Sequence, residues 1–123
     1  MKSYTDINQS KKLAEILPLE SADVIWNLTN PDLPNIRAIP YEYSDYNNKY
    51  LNIMPAWSLA ALFDVLPKFI GDYGKCLYYD VSGYYCGYMI DGDFMITIEE
   101  TKADNPVNAC VEMIIKLHEQ KLF

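Results

Sequence analysis

The chain has 123 residues, half of them apolar and 22% charged, which is enough to build one folded domain around its own core. Ten basic against 17 acidic residues give a net charge of −7, which disfavours direct binding to nucleic-acid phosphate or to anionic membrane. No apolar run reaches the roughly 18 residues of a bilayer span, and residues 1–12 lack the apolar segment of a signal peptide. We therefore expect a cytoplasmic protein.

In chain order, a helix is predicted over residues 5–17, because its apolar residues fall on one side and Pro18 ends it. The β-branched and aromatic segment ADVIWNL predicts a strand over 22–28, and NIRAI a weaker strand over 35–39. The tyrosine-rich segment 41–52 shows no clean period, and we interpret it as a loop or an edge strand.

A second helix is predicted over residues 58–66, with Ser58 as its N-cap and Pro67 after its end. Three strand-like runs follow, and Asp-Gly between the last two is a strong hairpin signal. These runs, separated by short polar turns, predict an antiparallel meander over residues 76–100, which the strand at 22–28 could extend.

The two faces of this meander follow from placing Asp91 and Gly92 in the turn. One face, expected to be the core, would then pair residues as follows: Met89 with Phe94, Gly87 with Ile96 and Tyr85 with Ile98. The opposite face is rich in tyrosine rather than in charged residues. It is either covered by other parts of the chain or reserved for a partner. Its candidate partner-binding residues are Tyr79, Tyr84, Tyr88 and Met95.

The last helix is predicted over residues 106–121, with Asp104 or Asn105 as N-cap and Pro106 in the first position. Its apolar stripe places His118, the only histidine, near the centre, where we expect it to pack against the sheet. Cys110 lies eight residues earlier, about 12 Å along the helix axis, which is too far for a thiolate–imidazole pair. A catalytic role would need a partner from another segment.

Catalytic and cofactor motifs are missing from the sequence. It contains no phosphate-binding glycine loop and no nucleophile elbow, and its three cysteines, Cys76, Cys86 and Cys110, lack the close spacing of a zinc site. Their odd number and wide separation fit a reducing compartment. We therefore expect no enzymatic activity, no cofactor and no metal.

Three stretches of the sequence carry a family resemblance: QSKKLAEILPLESAD (9–23), WSLAALFDVLP (57–67) and ADNPVNACVEMIIKLHE (103–119). They resemble a family of small uncharacterised proteins from prophages and mobile elements of gut Bacteroidales bacteria. The resemblance implies a phage-related accessory protein and brings no catalytic or binding residue with it. We interpret the three blocks as helical scaffold and the strands between them as the variable part.

The sequence thus predicts a single α+β domain over residues 1–123, with the meander packed against about three helices. The leading functional hypothesis is a non-enzymatic protein–protein interaction module, with an unknown protein or a second copy of the chain as partner. One alternative is an acidic nucleic-acid mimic that inhibits a host DNA-binding protein. Another is a small-ligand-binding protein or enzyme that uses His118 and Cys110.

Overall fold

The computed structural model describes residues 1–38, 52–90 and 93–122, with the side chains of 93–96 left out. The elements follow in the order α1 (Ile7–Ala14), a 3₁₀ turn (Leu19–Ser21), β1 (Val24–Asn27), β2 (Asn35–Ala38), β3 (Ile53–Ala56), α2 (Leu59–Val65), β4 (Phe69–Ile70), β5 (Tyr73–Asp80), β6 (Gly83–Ile90), β7 (Asp93–Ala103) and α3 (Pro106–Glu119). The predicted α+β class and its three helices are confirmed. Of the segment 41–52, predicted to be a loop or an edge strand, residues 41–51 lie outside the described residues.

Each helix begins at a side-chain cap. Asp6 and Gln9 form a reciprocal capping box at the start of α1, and Asn105 accepts a hydrogen bond from the third residue of α3. Ser58 caps α2 and is itself held by Asp23, whose two carboxylate oxygens accept from the Ser58 amide at 2.9 Å and hydroxyl at 2.5 Å. These caps fix where the chain passes from extended to helical backbone.

The strands form two antiparallel sheets, one with the order β4-β5-β6-β7 and one with the order β2-β1-β3. The four-stranded sheet is the predicted meander, longer than expected at both ends. The proposed extension by residues 22–28 is wrong, because β1 pairs on both sides with β2 and β3 instead. β3 was missed because Pro55, at its centre, argues against a strand.

The register between β6 and β7 also differs from the prediction. Ile90 pairs with Asp93, as a two-residue connection requires, but two irregularities then place Tyr88 opposite Glu99. The predicted pairs between Met89 and Phe94 and further along the strands are therefore wrong. Bulges of this kind insert unpaired residues into one strand, which periodicity in the sequence does not reveal.

The inner face of the four-stranded sheet, defined by Cys86 and Tyr88, is covered by α3. Both residues are fully buried. They belong to a cluster with buried residues of α3, among them Val107, Ala109, Cys110, Met113, Ile114 and Leu117. The core that α3 covers therefore lies on the face of Cys86 and Tyr88, and the prediction that the opposite face forms the core is wrong. Of the residues predicted for that core, Met89 is buried but Ile98 is 48% exposed.

His118 does not pack against the sheet as predicted. The buried face of α3 is centred on Cys110, Met113 and Leu117, so His118 lies exposed near the C-terminal end of the helix. The predicted stripe left out Ala109 and Met113, both fully buried. Ala109 and Met113 share one side of the helix, and His118 lies about 140° around the axis from Met113 at 100° per residue, so a face that buries both leaves His118 outside it.

A buried polar cluster joins the N-terminal segment to the start of α2. Thr5 and Ser10 are fully buried, and their hydroxyl oxygens lie 2.8 Å apart. The Trp57 amide donates to the Thr5 hydroxyl at 3.1 Å, and the Thr5 amide donates to the Trp57 carbonyl at 3.0 Å. The Trp26 indole donates to the Thr5 carbonyl at 2.9 Å. Thr5 thus links β1, α1 and the segment that enters α2.

Replacing Thr5 with valine keeps the shape of the side chain but leaves the Trp57 amide without its acceptor and Ser10 without its partner. We expect the free energy of unfolding to fall by about 1–3 kcal/mol, measured by urea denaturation. The matched control is Thr29→Val, the same change at an exposed position, which should stay within about 0.5 kcal/mol of the wild type. Equal losses in both variants would contradict the role assigned to Thr5.

Candidate partner-binding surface

The hairpin of β5 and β6 ends in a well-defined turn. Asp80 pairs with Gly83, and the Asp80 carboxylate accepts hydrogen bonds from the Ser82 amide at 2.7 Å and hydroxyl at 2.6 Å. Gly83 has a φ of 149°, and a Cβ there would lie 2.9 Å from the Ala103 carbonyl oxygen. The turn therefore requires glycine at this position, and its backbone is held against the end of β7.

Four tyrosines stand in two cross-strand pairs beside this turn, and we call them the hairpin tyrosines. Tyr79 lies opposite Tyr84, with ring centroids 5.8 Å apart and planes tilted by 38°. Tyr78 lies opposite Tyr85, with centroids 5.0 Å apart and planes within 8° of parallel. Because successive side chains of a strand point to opposite faces, each face of the hairpin end carries one aromatic pair.

The inner pair, Tyr79 and Tyr84, lies on the face of the sheet that α3 covers, but beyond the part that the helix reaches. Along the inner face of β6, Tyr88 and Cys86 are fully buried, whereas Tyr84 is only half-buried. Its neighbour Tyr79 is 75% exposed, and Val81 in the turn is fully exposed. The same face thus passes from core to solvent within one hairpin, and the hairpin end presents apolar surface to water.

The outer pair, Tyr78 and Tyr85 on the opposite face, is surrounded by polar and charged groups. The Tyr78 hydroxyl donates to the Glu100 carboxylate, and the Tyr85 hydroxyl shares a 2.5 Å hydrogen bond with Ser82. The Lys102 ammonium lies 6.0 Å from the centroid of the Tyr85 ring. Partial burial and the neighbouring Glu100 carboxylate raise the pKa of Tyr78 above its ordinary value, so its hydroxyl stays protonated and remains a donor.

Only part of the predicted partner surface is brought together at the hairpin end. Tyr79 and Tyr84 lie side by side there, but Tyr88 is a core residue whose hydroxyl donates to the Pro67 carbonyl at 2.6 Å. Its assignment to a partner surface is wrong, because α3 covers it. The side chain of Met95 lies outside the described residues. Tyr78 was not predicted as a surface residue. The alternation of side chains along a strand nevertheless places it on the opposite face of the hairpin from Tyr79.

The alternative site at His118 and Cys110 is not assembled. Cys110 is fully buried against Cys86, whereas His118 is exposed. An open pocket of about 320 Å³ lies elsewhere, and neither residue lines it; its walls are Met1, Lys2, Ser3, Tyr4, Ser58, Leu59, Ala60 and Pro106. The two side chains therefore do not act on one bound molecule in this arrangement.

The described part of the chain holds neither a cluster of metal ligands nor a membrane-spanning helix. Across residues 1–38, 52–90 and 93–122, no three His, Cys, Asp or Glu side chains converge as metal ligands would. In the same part of the chain, no helix has the length and apolar character needed to cross a bilayer.

Comparison of the chain with models of known protein families, with curated proteins and with solved structures finds no match. The resemblance to phage-borne proteins therefore stays a prediction. What the hairpin end does must be argued from its own residues.

The distinction between core and surface tyrosines is testable by stability. Tyr88→Ala should lower the free energy of unfolding by about 3–5 kcal/mol, because it leaves a cavity under α3. Tyr79→Ala should lower it by about 1 kcal/mol or less, because that ring is mostly exposed and loses only its cross-strand contact with Tyr84. Urea denaturation measures both. A large loss for Tyr79→Ala together with a small one for Tyr88→Ala would contradict the assignment of the two faces.

Proposed function

We propose that this protein is a non-enzymatic interaction module that binds a protein partner through the hairpin tyrosines. The observation that carries the proposal is the exposure of Tyr79 and Val81 at the end of an ordered hairpin, next to two aromatic pairs. Contiguous exposed apolar surface on an ordered element is typical of an interaction site. A partner that covers it would gain the burial that α3 gives the rest of the same face.

The chemistry of the hairpin end suits protein recognition. Tyrosine is enriched at binding hot spots because it buries a large ring and keeps a hydroxyl for hydrogen bonding. Here each ring is restrained by a cross-strand neighbour, and Tyr85 is further restrained by its bond to Ser82. Rings that are already ordered lose little conformational entropy on binding, which favours affinity.

Charge adds a preference for the kind of partner. The chain carries a net charge of −7, and Glu100 lies beside the outer tyrosine pair. A partner with basic residues around an apolar centre would match both the rings and the carboxylates. Such complementarity raises the association rate and selects among partners more than it raises the final affinity.

For the biological setting, we propose a phage or mobile-element accessory protein that acts in the cytoplasm. The resemblance in three blocks supports this, and two of those blocks, 57–67 and 103–119, contain α2 and α3. The hairpin tyrosines lie between these blocks. A shared helical scaffold with a variable hairpin is the arrangement expected of related proteins that bind different partners.

The experiment is affinity capture from lysate of phage-carrying host cells, with tagged wild type and three variants. Two variants remove one aromatic pair each, Tyr79→Ala with Tyr84→Ala, and Tyr78→Ala with Tyr85→Ala. The matched control is Leu33→Ala, a loss of apolar surface at a residue that is 70% exposed away from the hairpin. We expect at least one tyrosine variant to weaken capture of a defined partner by roughly tenfold or more, with the control unchanged.

Unchanged capture by both tyrosine variants would sink the proposed surface, provided that circular dichroism shows them to be folded. Capture that disappears at high salt while tolerating both variants would favour the nucleic-acid mimic instead. If the wild type recovers only itself, and the tyrosine variants abolish that self-association, the partner is a second copy of the chain.

A further inference from the structure

Two cysteines from distant parts of the chain face each other across the interface between sheet and helix. Cys86 lies on the inner face of β6 and Cys110 on the buried face of α3, and both are fully buried. Both residues belong to one buried cluster at the contact of β6 with α3, and each thiol shifts the pKa of the other. Cys76, the third cysteine, is on the outer face, where its thiol lies 3.3 Å from the Gly87 carbonyl oxygen.

A side chain from β7 holds the two backbones close together at this level. The Thr101 hydroxyl lies 2.7 Å from the carbonyl oxygen of Ala109, the residue before Cys110, and donates to it. The same hydroxyl lies 3.4 Å from the carbonyl oxygen of Cys86, with which Thr101 is paired in the sheet. The Thr101 hydroxyl, in addition to apolar packing, therefore holds the backbone of α3 beside that of β6 next to the two thiols.

The pKa values of the two thiols are shifted in opposite directions by their surroundings. The hydrogen bond with Cys110, together with burial, raises the pKa of Cys86, and the same bond lowers the pKa of Cys110. The positive charge of Lys75 lowers the pKa of both thiols. Of the two thiols, Cys110 therefore loses its proton more readily and is the one that attacks first when an oxidant reaches the pair.

We propose that Cys86 and Cys110 form a redox-active dithiol that is oxidised to an intramolecular disulfide joining β6 to α3, with a low-molecular-weight disulfide such as glutathione disulfide as oxidant. The Cys110 thiolate attacks one sulfur of the oxidant, breaks its S–S bond and releases one glutathione. The Cys86 thiolate then attacks the Cys110 sulfur and releases the second glutathione. Two cysteines lose two electrons, and their protons end on the two glutathione molecules formed.

The burial of both thiols sets the rate and the consequence of the reaction. Because both are fully buried, the oxidant reaches them only when α3 moves away from the sheet, so exchange is slow and is best measured at equilibrium. Once formed, the disulfide closes the loop from Cys86 to Cys110 and restricts the unfolded chain. The oxidised protein should therefore be the more stable form.

The test equilibrates the folded protein in glutathione buffers of increasing oxidation, followed by intact mass and peptide mapping. Wild type and Cys76→Ala should each lose the mass of two hydrogens and yield one linked peptide pair containing Cys86 and Cys110. Cys86→Ala and Cys110→Ala should not. The oxidised wild type should unfold at a temperature roughly 5 °C or more above the reduced form.

The proposal is overturned if the wild type keeps all its thiols in the most oxidising buffer, or if it carries glutathione on Cys110 or Cys86 without a cross-link. A cross-link from Cys76 to either residue would overturn it equally. Because the linked peptide is sought in the wild type itself, the outcome does not depend on whether a Cys86 variant folds.

Discussion

The packing of α3 on the inner face of the four-stranded sheet is the contact on which the rest of the structure depends. It buries Cys86 and Tyr88 beneath Cys110, Ile114 and Leu117 and so determines which face of the sheet is core. Burial of several large apolar side chains is the dominant favourable contribution to folding in a domain of this size. The extent of α3 also determines what is left uncovered, because the hairpin continues beyond the helix.

Polar atoms inside this core are paired at the places where elements meet. The Tyr88 hydroxyl donates to the carbonyl of Pro67, just after α2. The Lys75 ammonium donates to the Phe63 carbonyl at 2.6 Å and lies 3.3 Å from the Leu66 carbonyl oxygen. Among the described residues, no buried side-chain nitrogen or oxygen lacks a hydrogen-bond partner. Such pairing joins α2 to the sheet in addition to apolar contact, since an unpaired buried polar group would cost about 1–3 kcal/mol.

Much of the scaffold could be predicted from the sequence, because its signals are local. Pro18, Ser58 and Pro106 mark helix ends through their own backbone and capping chemistry, and the Asp-Gly pair marks the hairpin. Which face of the four-stranded sheet forms the core could not be predicted from the sequence, because it depends on tertiary packing. A tyrosine such as Tyr88 serves in a core when its hydroxyl finds a carbonyl, and nothing in its own sequence neighbourhood distinguishes it from exposed Tyr79. Of the residues predicted to bind a partner, Tyr79 and Tyr84 lie at the hairpin end and Tyr88 lies beneath α3.

One face of the four-stranded sheet passes from core at Tyr88 in β6 to exposed surface at Tyr79 in β5. The most direct measurement is photochemically induced nuclear polarisation, in which an excited flavin dye polarises only tyrosine rings that it can touch. Single Tyr→Phe replacements assign the signals. The account predicts a strong signal from Tyr79 and none from Tyr88 in the folded protein. A Tyr88 signal as strong as that of Tyr79 would contradict it, because α3 could not then cover the inner face.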